Sequence, residues 1–470
     1  MMKKIIKKLQ WQDFILIGIV LLFLFGQWYV THDFQQLPSN LFGGDYYYQM
    51  GCIESIRSGG GMFGGCSILN SEPGYFPLYG NLVALFANLF NLESLNAMVY
   101  FSLVLVLVSL SVFYLILYYF FNDKNVSLLG VLLFLPLNIF PIFKYTDFTE
   151  ALMIPILFFS VFYFIKKKSM KAAILFGVVY GLNAISHGIA FVAVNLLLLM
   201  TFFYCIFSKV FSKSVGERIR FSKAVLVGNF RKYILLFIVI FVIGFVIAQL
   251  YWFNPIFMYH GDAKLESHKW STIDYTPISS QFDFLFKTLK DFFFNFNSLF
   301  AVLSSVLGVL GLFYLIRNFK TDKSLIYHFI IFTLVVGAIG TFHYFITELL
   351  FQNNLVPTHM RKFLLGLPVV LLSLYGISSI FKQYKQFAKY LFSGLLILLL
   401  VVQVQVYFDI NNDGLVQHAS DPLDGMFLDM QDFIMENTEI NDVFLSNNEL
   451  SFMLSGLTGR KIEVTRRAQN

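Results

Sequence analysis

The runs of uncharged apolar residues, long enough to cross a bilayer and repeated along most of the chain, exclude more folds than any other feature of this sequence. Leu95 to Phe121 and Tyr233 to Phe253 carry no charge at all, and about 20 apolar residues span the hydrocarbon. Backbone groups with no water to bond must pair internally, so such runs become helices. A chain that is 57% hydrophobic, 19% aromatic and 13% charged cannot leave one face of each helix to water. It reads as an all-α polytopic membrane protein.

The net charge of +6 does not imply a nucleic-acid partner, because the lysines sit in short loops between apolar runs, where they set topology. Lys3, Lys4, Lys7 and Lys8 precede the first run, Phe14 to Val30, which lacks a small-residue cleavage site and reads as an uncleaved span. Phe76 to Phe90 decides everything downstream. It is apolar but short, with Gly80, Asn81 and Asn88 inside it, and counting it as a span inverts every later loop.

If that segment lies in the interface, the spans are 14–30, 95–121, 126–143, 148–165, 172–188, 190–208, 233–253, 293–316, 325–347, 363–381 and 390–408, which makes eleven. The segments then assigned to the cytoplasm (1–13, 122–125, 166–171, 209–232, 317–323, 382–389) hold 22 of the 34 Lys and Arg but 4 of the 28 acids. That asymmetry favours the interfacial reading. The expected protein is a multi-pass plasma-membrane protein with a cytoplasmic N-terminus and an extracellular C-terminus.

Two units follow: a transmembrane domain over 1–408, with a long outer loop at 31–94, and an extracytoplasmic segment at 409–470. Within the second, the pattern predicts helix, strand, helix, strand, the start of a small α/β fold. It ends without closing such a fold, so it reads either as part of a longer domain or as a minimal one packed on the membrane body. Gly59, Gly60 and Gly61 with Gly64 and Gly65 have no strand before them and no Lys-Ser after them, and read as a linker.

Several side chains could carry chemistry. Asp45 follows two glycines and precedes Tyr46, Tyr47 and Tyr48; it reads either as a helix cap or as a carboxylate base for a hydroxyl. Asp147 and Glu150 open the fourth span on one helical face. Capping explains Asp147, whereas Glu150 stands at the edge of hydrocarbon, where a carboxylate is costly. His187 interrupts an otherwise uncharged stretch near the same outer face and reads equally as a bonded interfacial histidine. Arg361 begins a later span and could clamp a phosphate or anchor at the interface.

Cys52 and Cys66 both fall on the oxidising side and could form a disulfide, while Cys205 lies in an apolar run. The eight histidines and three cysteines show no zinc spacing.

One span, a long outer loop opening with Asp before tyrosines, Pro-Gly-Tyr-Phe-Pro-Leu-Tyr leading into an interfacial helix, two spans, then an acidic motif: this order resembles the GT-C superfamily of membrane glycosyltransferases. That group includes oligosaccharyltransferase catalytic subunits and protein O-mannosyltransferases. The resemblance covers the architecture of nearly all of residues 1–408 and is specific in sequence at few points. It implies a catalytic role for Asp45 and for Asp147 with Glu150, and a phosphate-facing role for Arg361, followed by Pro368. The implied donor is a sugar on a polyprenyl phosphate or diphosphate, and the implied acceptor a protein or glycan hydroxyl. Arg361 and His187 would supply positive charge, together with a divalent cation, magnesium or manganese, held by Asp45 and Glu150.

Two departures stand beside these implications. The second motif is Asp-x-x-Glu where the family has Asp-x-Asp, and Asn441 to Glu449 stands where oligosaccharyltransferases carry Trp-Trp-Asp-Tyr-Gly. Without those tryptophans an Asn-x-Ser/Thr acceptor is not expected. The competing classes are a transporter or flippase of lipid-linked sugars, which should show related halves and deep charges, and a non-catalytic membrane scaffold.

Overall fold

The computed structural model describes residues 10–39, 44–62, 76–134, 142, 144–211, 223–253, 277–351, 356–446 and 448–462. Among them, nine helices are long and apolar enough to cross a membrane. Two of the eleven expected spans are shorter: 126–143 corresponds to the helix Lys124–Phe134, with 135–141 and 143 outside the described residues, and 172–188 to the helix Met170–Ala184. The second difference has a local cause. His187 caps the following helix, Gly188–Phe211, by accepting the Ile189 N–H at 3.1 Å, so the apolar run is broken one turn early.

The share of each span enclosed by its neighbours sorts the bundle. Trp11–Thr31 and Lys385–Asn411 are each 28% buried and lie at its edge, whereas Tyr145–Lys167 (72%) and Pro357–Gln383 (83%) form its centre. Small residues allow the close crossings. A Cβ on Gly376 would stand 2.8 Å from the Gly311 Cα, and one on Gly311 would meet the Leu372 carbonyl, so Leu299–Arg317 can lie directly on Pro357–Gln383. Polar links reinforce the packing: Gln27 donates to Ser102 at 3.0 Å, Gln403 to the Leu132 carbonyl at 2.9 Å, and Tyr407 to the Phe23 carbonyl at 3.1 Å.

The segment predicted to be interfacial is the 14-residue helix Pro77–Phe90. One side buries Tyr79, Val83, Ala84 and Ala87; Leu85, Leu89 and Phe90 are exposed on the other. The helix packs against Gly44–Arg57, Ser94–Phe121 and the start of Tyr145–Lys167.

Beyond Asn411, helix Gly425–Asn437 precedes the strand Val443–Phe444, which pairs in parallel with Lys461–Ile462 across the helix Asn448–Thr458. This small unit rests on the membrane body. Asn448–Thr458 lies along Gly44–Arg57, so closely that a Cβ on Gly51 would stand 2.6 Å from the Ser455 Oγ. Arg460, 6% exposed, is held by the carbonyls of Thr438 (2.8 Å) and Thr458 (3.2 Å). The helix carrying Asp45 is thereby clamped from the side away from the bundle.

Candidate functional site

Gly44 adopts φ +83°, a turn that a Cβ would oppose, and opens the helix whose first turn holds Asp45. The Asp45 carboxylate accepts from the Lys144 ammonium at 3.0 Å, and that ammonium also lies 5.6 Å from the centre of the Tyr46 ring. One turn on, buried Gln49 accepts the Tyr145 N–H at 3.1 Å. The first-loop helix is thus stitched to the start of a central span at two points. Burial, with the nearby charges of Asp147 and Asp45, pushes the Tyr46 phenol well above its ordinary range, so it stays neutral.

Asp147, 1% exposed, accepts the Lys144 N–H at 3.3 Å and so does the work of a helix cap. It also lies within electrostatic reach of Lys144, Lys362 and Asp45. Immediately after it the helix widens: Thr149–Met153 is a π turn, and it carries Glu150. The other central span does the same at Lys362–Gly366. Pro155 follows Thr149 at the spacing at which Pro368 follows Lys362, and each proline removes the N–H that would close the preceding α-turn. The two widened turns face each other, with Lys362 Nζ 3.8 Å from Glu150 Oε2. Such turns are enriched at functional sites.

Arg361 takes a different direction from its neighbour. Its guanidinium donates to Asp291 at 2.8 Å, and its centre lies 5.8 Å from the Phe284 ring and 6.0 Å from Phe292. It braces Pro357–Gln383 against the helix Ile278–Phe293. Lys362 pairs with Glu150, while Arg361 lies only within electrostatic reach of it. Of the expected loop around Arg361, residues 352–355 lie outside the described residues, as do 254–276 of the loop before it.

His187, 4% exposed, packs with Phe76 (ring centres 5.9 Å apart, 13° between planes) and Tyr145 (5.1 Å, 21°), and meets His359 and Phe363 edge-on. It lies within electrostatic reach of His359, Lys362 and Lys144. Asp45, Asp147, Glu150 and His187 therefore belong to one neighbourhood, built from the first loop, the two central spans and the loop after Ala184. Lys144, Lys362 and His359 are members that sequence reasoning missed. The available signal was the scarcity of bases on the acid-rich side, which makes each of them conspicuous.

These side chains do not form a divalent-cation set. Asp45 is engaged by Lys144 and Glu150 faces Lys362, and among the described residues no three His, Cys, Asp or Glu groups gather as metal ligands. Cys52 is disulfide-bonded and Cys205 is a free, buried thiol; Cys66, the expected partner of Cys52, lies outside the described residues.

No family model matches the chain. Its structure is similar to that of the archaeal oligosaccharyltransferase AglB from Archaeoglobus fulgidus, solved with an inhibitory peptide and a dolichol-phosphate, with a TM-score of 0.53 and 13% identity over 98% of this chain. The chain spans 65% of the length of that structure. The likeness shows the fold, which is AglB-like. In sequence the chain is 39% identical over 119 residues, 25% of its own length, to the protein MJ1080 of Methanocaldococcus jannaschii, a protein described as uncharacterized, and covers 88% of it. This multi-pass membrane protein with an AglB-like fold belongs to the family of MJ1080.

Proposed function

We propose that this chain is a membrane glycosyltransferase that moves a sugar from a polyprenyl-phosphate or -diphosphate donor to a hydroxyl on a protein or glycan, at the extracytoplasmic face. The observation that carries the reading is the meeting of Asp45, from the first loop, and of Asp147 and Glu150, from the start of one central span, with Lys144 and Lys362 at one end of a GT-C-like bundle. Carboxylates and ammonium groups in one partly enclosed place suit a reaction that removes a proton and releases an anion.

In the resting arrangement Lys144 holds Asp45. A donor phosphate arriving beside Lys144 and Lys362 draws both ammonium groups toward its oxygens and frees Asp45. The Asp45 carboxylate then takes the proton of the acceptor hydroxyl, whose oxygen attacks the anomeric carbon. The bond from that carbon to the phosphate oxygen breaks, and its electron pair leaves with the phosphate. Phosphate is already a good leaving group, so the lysines stabilise its charge and no general acid is needed. Glu150 keeps Lys362 aimed inward, and Asp147 fixes the turn that presents Lys144. AglB was solved with a dolichol-phosphate, a lipid phosphate of the class this reading requires.

The purified chain in lipid vesicles, given a polyprenyl phosphate carrying a radiolabelled sugar together with peptide and glycan acceptors, tests the proposal. Label is expected to move from the lipid to an acceptor. Label that stays on the lipid with every acceptor, or that crosses the bilayer still attached, would contradict it; the second result would favour a flippase.

A further inference from the structure

His187 has an orientation that leaves one atom unexplained. Its Nδ1 accepts the Ile189 N–H at 3.1 Å, and a nitrogen that accepts a hydrogen bond carries no proton. The imidazole is therefore neutral, with its hydrogen on Nε2. That Nε2 is buried and has no hydrogen-bond partner among the described residues, although a buried donor left unmade costs about 1–3 kcal/mol. The helix cap accounts for Nδ1 and says nothing about Nε2. Around it stand Phe76, Tyr145 and Phe363, with Phe76 also 4.9 Å from Tyr251 and 5.7 Å from Trp252. An aromatic wall with one fixed polar donor is how small-ligand sites set orientation.

The charged parts of the neighbourhood narrow what that donor meets. Lys144 and Lys362 lie within electrostatic reach of His187, and they are the groups suited to a phosphate. A neutral N–H beside them suits the uncharged part of the same ligand. We propose that His187 donates its Nε2 hydrogen to a neutral oxygen of the donor sugar, a hydroxyl or an acetamido carbonyl, while the adjoining phosphate lies against the two lysines. His187 is then a sugar-recognition residue and not a source of positive charge. This assignment rests on the glycosyltransferase reading above.

Two substitutions separate the cap from the donor. In His187→Asn the amide oxygen falls near the Nδ1 position and keeps the cap, and the distal donor is lost. In His187→Gln the amide nitrogen falls near the Nε2 position and keeps the donor. The experiment measures binding of dolichyl phosphate mannose, dolichyl phosphate N-acetylglucosamine and bare dolichyl phosphate to the full chain in nanodiscs. For His187→Asn we expect affinity for whichever sugar-bearing lipid the wild type prefers to fall about tenfold, with affinity for bare dolichyl phosphate unchanged; His187→Gln retains the preference.

Equal weakening of sugar-bearing and bare lipids, or no weakening of either, would overturn this assignment while leaving the donor reading intact. A wild-type chain that binds none of the three lipids would overturn the donor reading and this assignment with it.

Discussion

The two ends of the bundle use their charged side chains differently. At the lysine-rich end, the charged groups are paired in ordinary ways, although the buried Gln12 Oε1 and Tyr119 hydroxyl have no hydrogen-bond partner among the described residues. Lys124 donates to both oxygens of Asp13 (2.7 and 2.8 Å), Tyr375 donates to Asp322 at 2.7 Å, and Lys166 lies 4.3 Å from the centre of the Tyr119 ring. At the acid-bearing end, two helices widen into π turns, a carboxylate and a lysine face each other at 3.8 Å, and His187 keeps a buried donor without a partner among the described residues. The first end has the form of fastening. The second brings two widened turns and the His187 Nε2 together at the centre of the structure, and local costs of this kind cluster at functional sites.

The contrast yields predictions of decreasing size. Asp45→Asn removes the proposed base and should slow sugar transfer roughly 10²- to 10⁴-fold, measured on membranes with the amount of folded chain matched. Lys362→Met removes a charge from the leaving phosphate and should slow transfer roughly 10²-fold or more. Its stability should change little, because the Lys362 side chain is 41% exposed and its contact with Glu150, at 3.8 Å, is too long for a hydrogen bond; a large fall in melting temperature with unchanged rate would make Lys362 a structural residue. Gly51→Val forces a side chain into the Ser455 contact and should destabilise the chain by about 1–3 kcal/mol, read by thermal unfolding in detergent. Asp13→Asn, at the lysine-rich end, should cost about 0–1 kcal/mol and leave the transfer rate alone.

Most of the bundle is legible in the sequence because apolar runs of spanning length have few alternatives. Pro77–Phe90 stands out in the sequence by its shortness, and the charge asymmetry that follows from excluding it is the ground for expecting it in the interface. What escaped was anything set by hydrogen-bond register or by direction around a helix. The π turns at Glu150 and Lys362 depend on which carbonyl each N–H chooses, and composition does not report that choice. Consecutive helical residues point about 100° apart, so Arg361 and Lys362 look equivalent in sequence while one turns to Asp291 and the other to Glu150. Lys144 was visible beside Asp147, but its pairing with Asp45 joins positions 99 apart in the chain, and only the folded loop brings them together. His187 was visible as an interruption, and its state became clear once Ile189 was seen to occupy Nδ1.

The most direct test places the two ends in one assay: transfer of labelled sugar from a polyprenyl-phosphate donor by Asp45→Asn and Asp13→Asn chains, each reconstituted at the same amount and checked for the same melting behaviour. The account predicts a rate close to wild type for Asp13→Asn and a loss of at least about 10²-fold for Asp45→Asn. Equal rates from the two would contradict it.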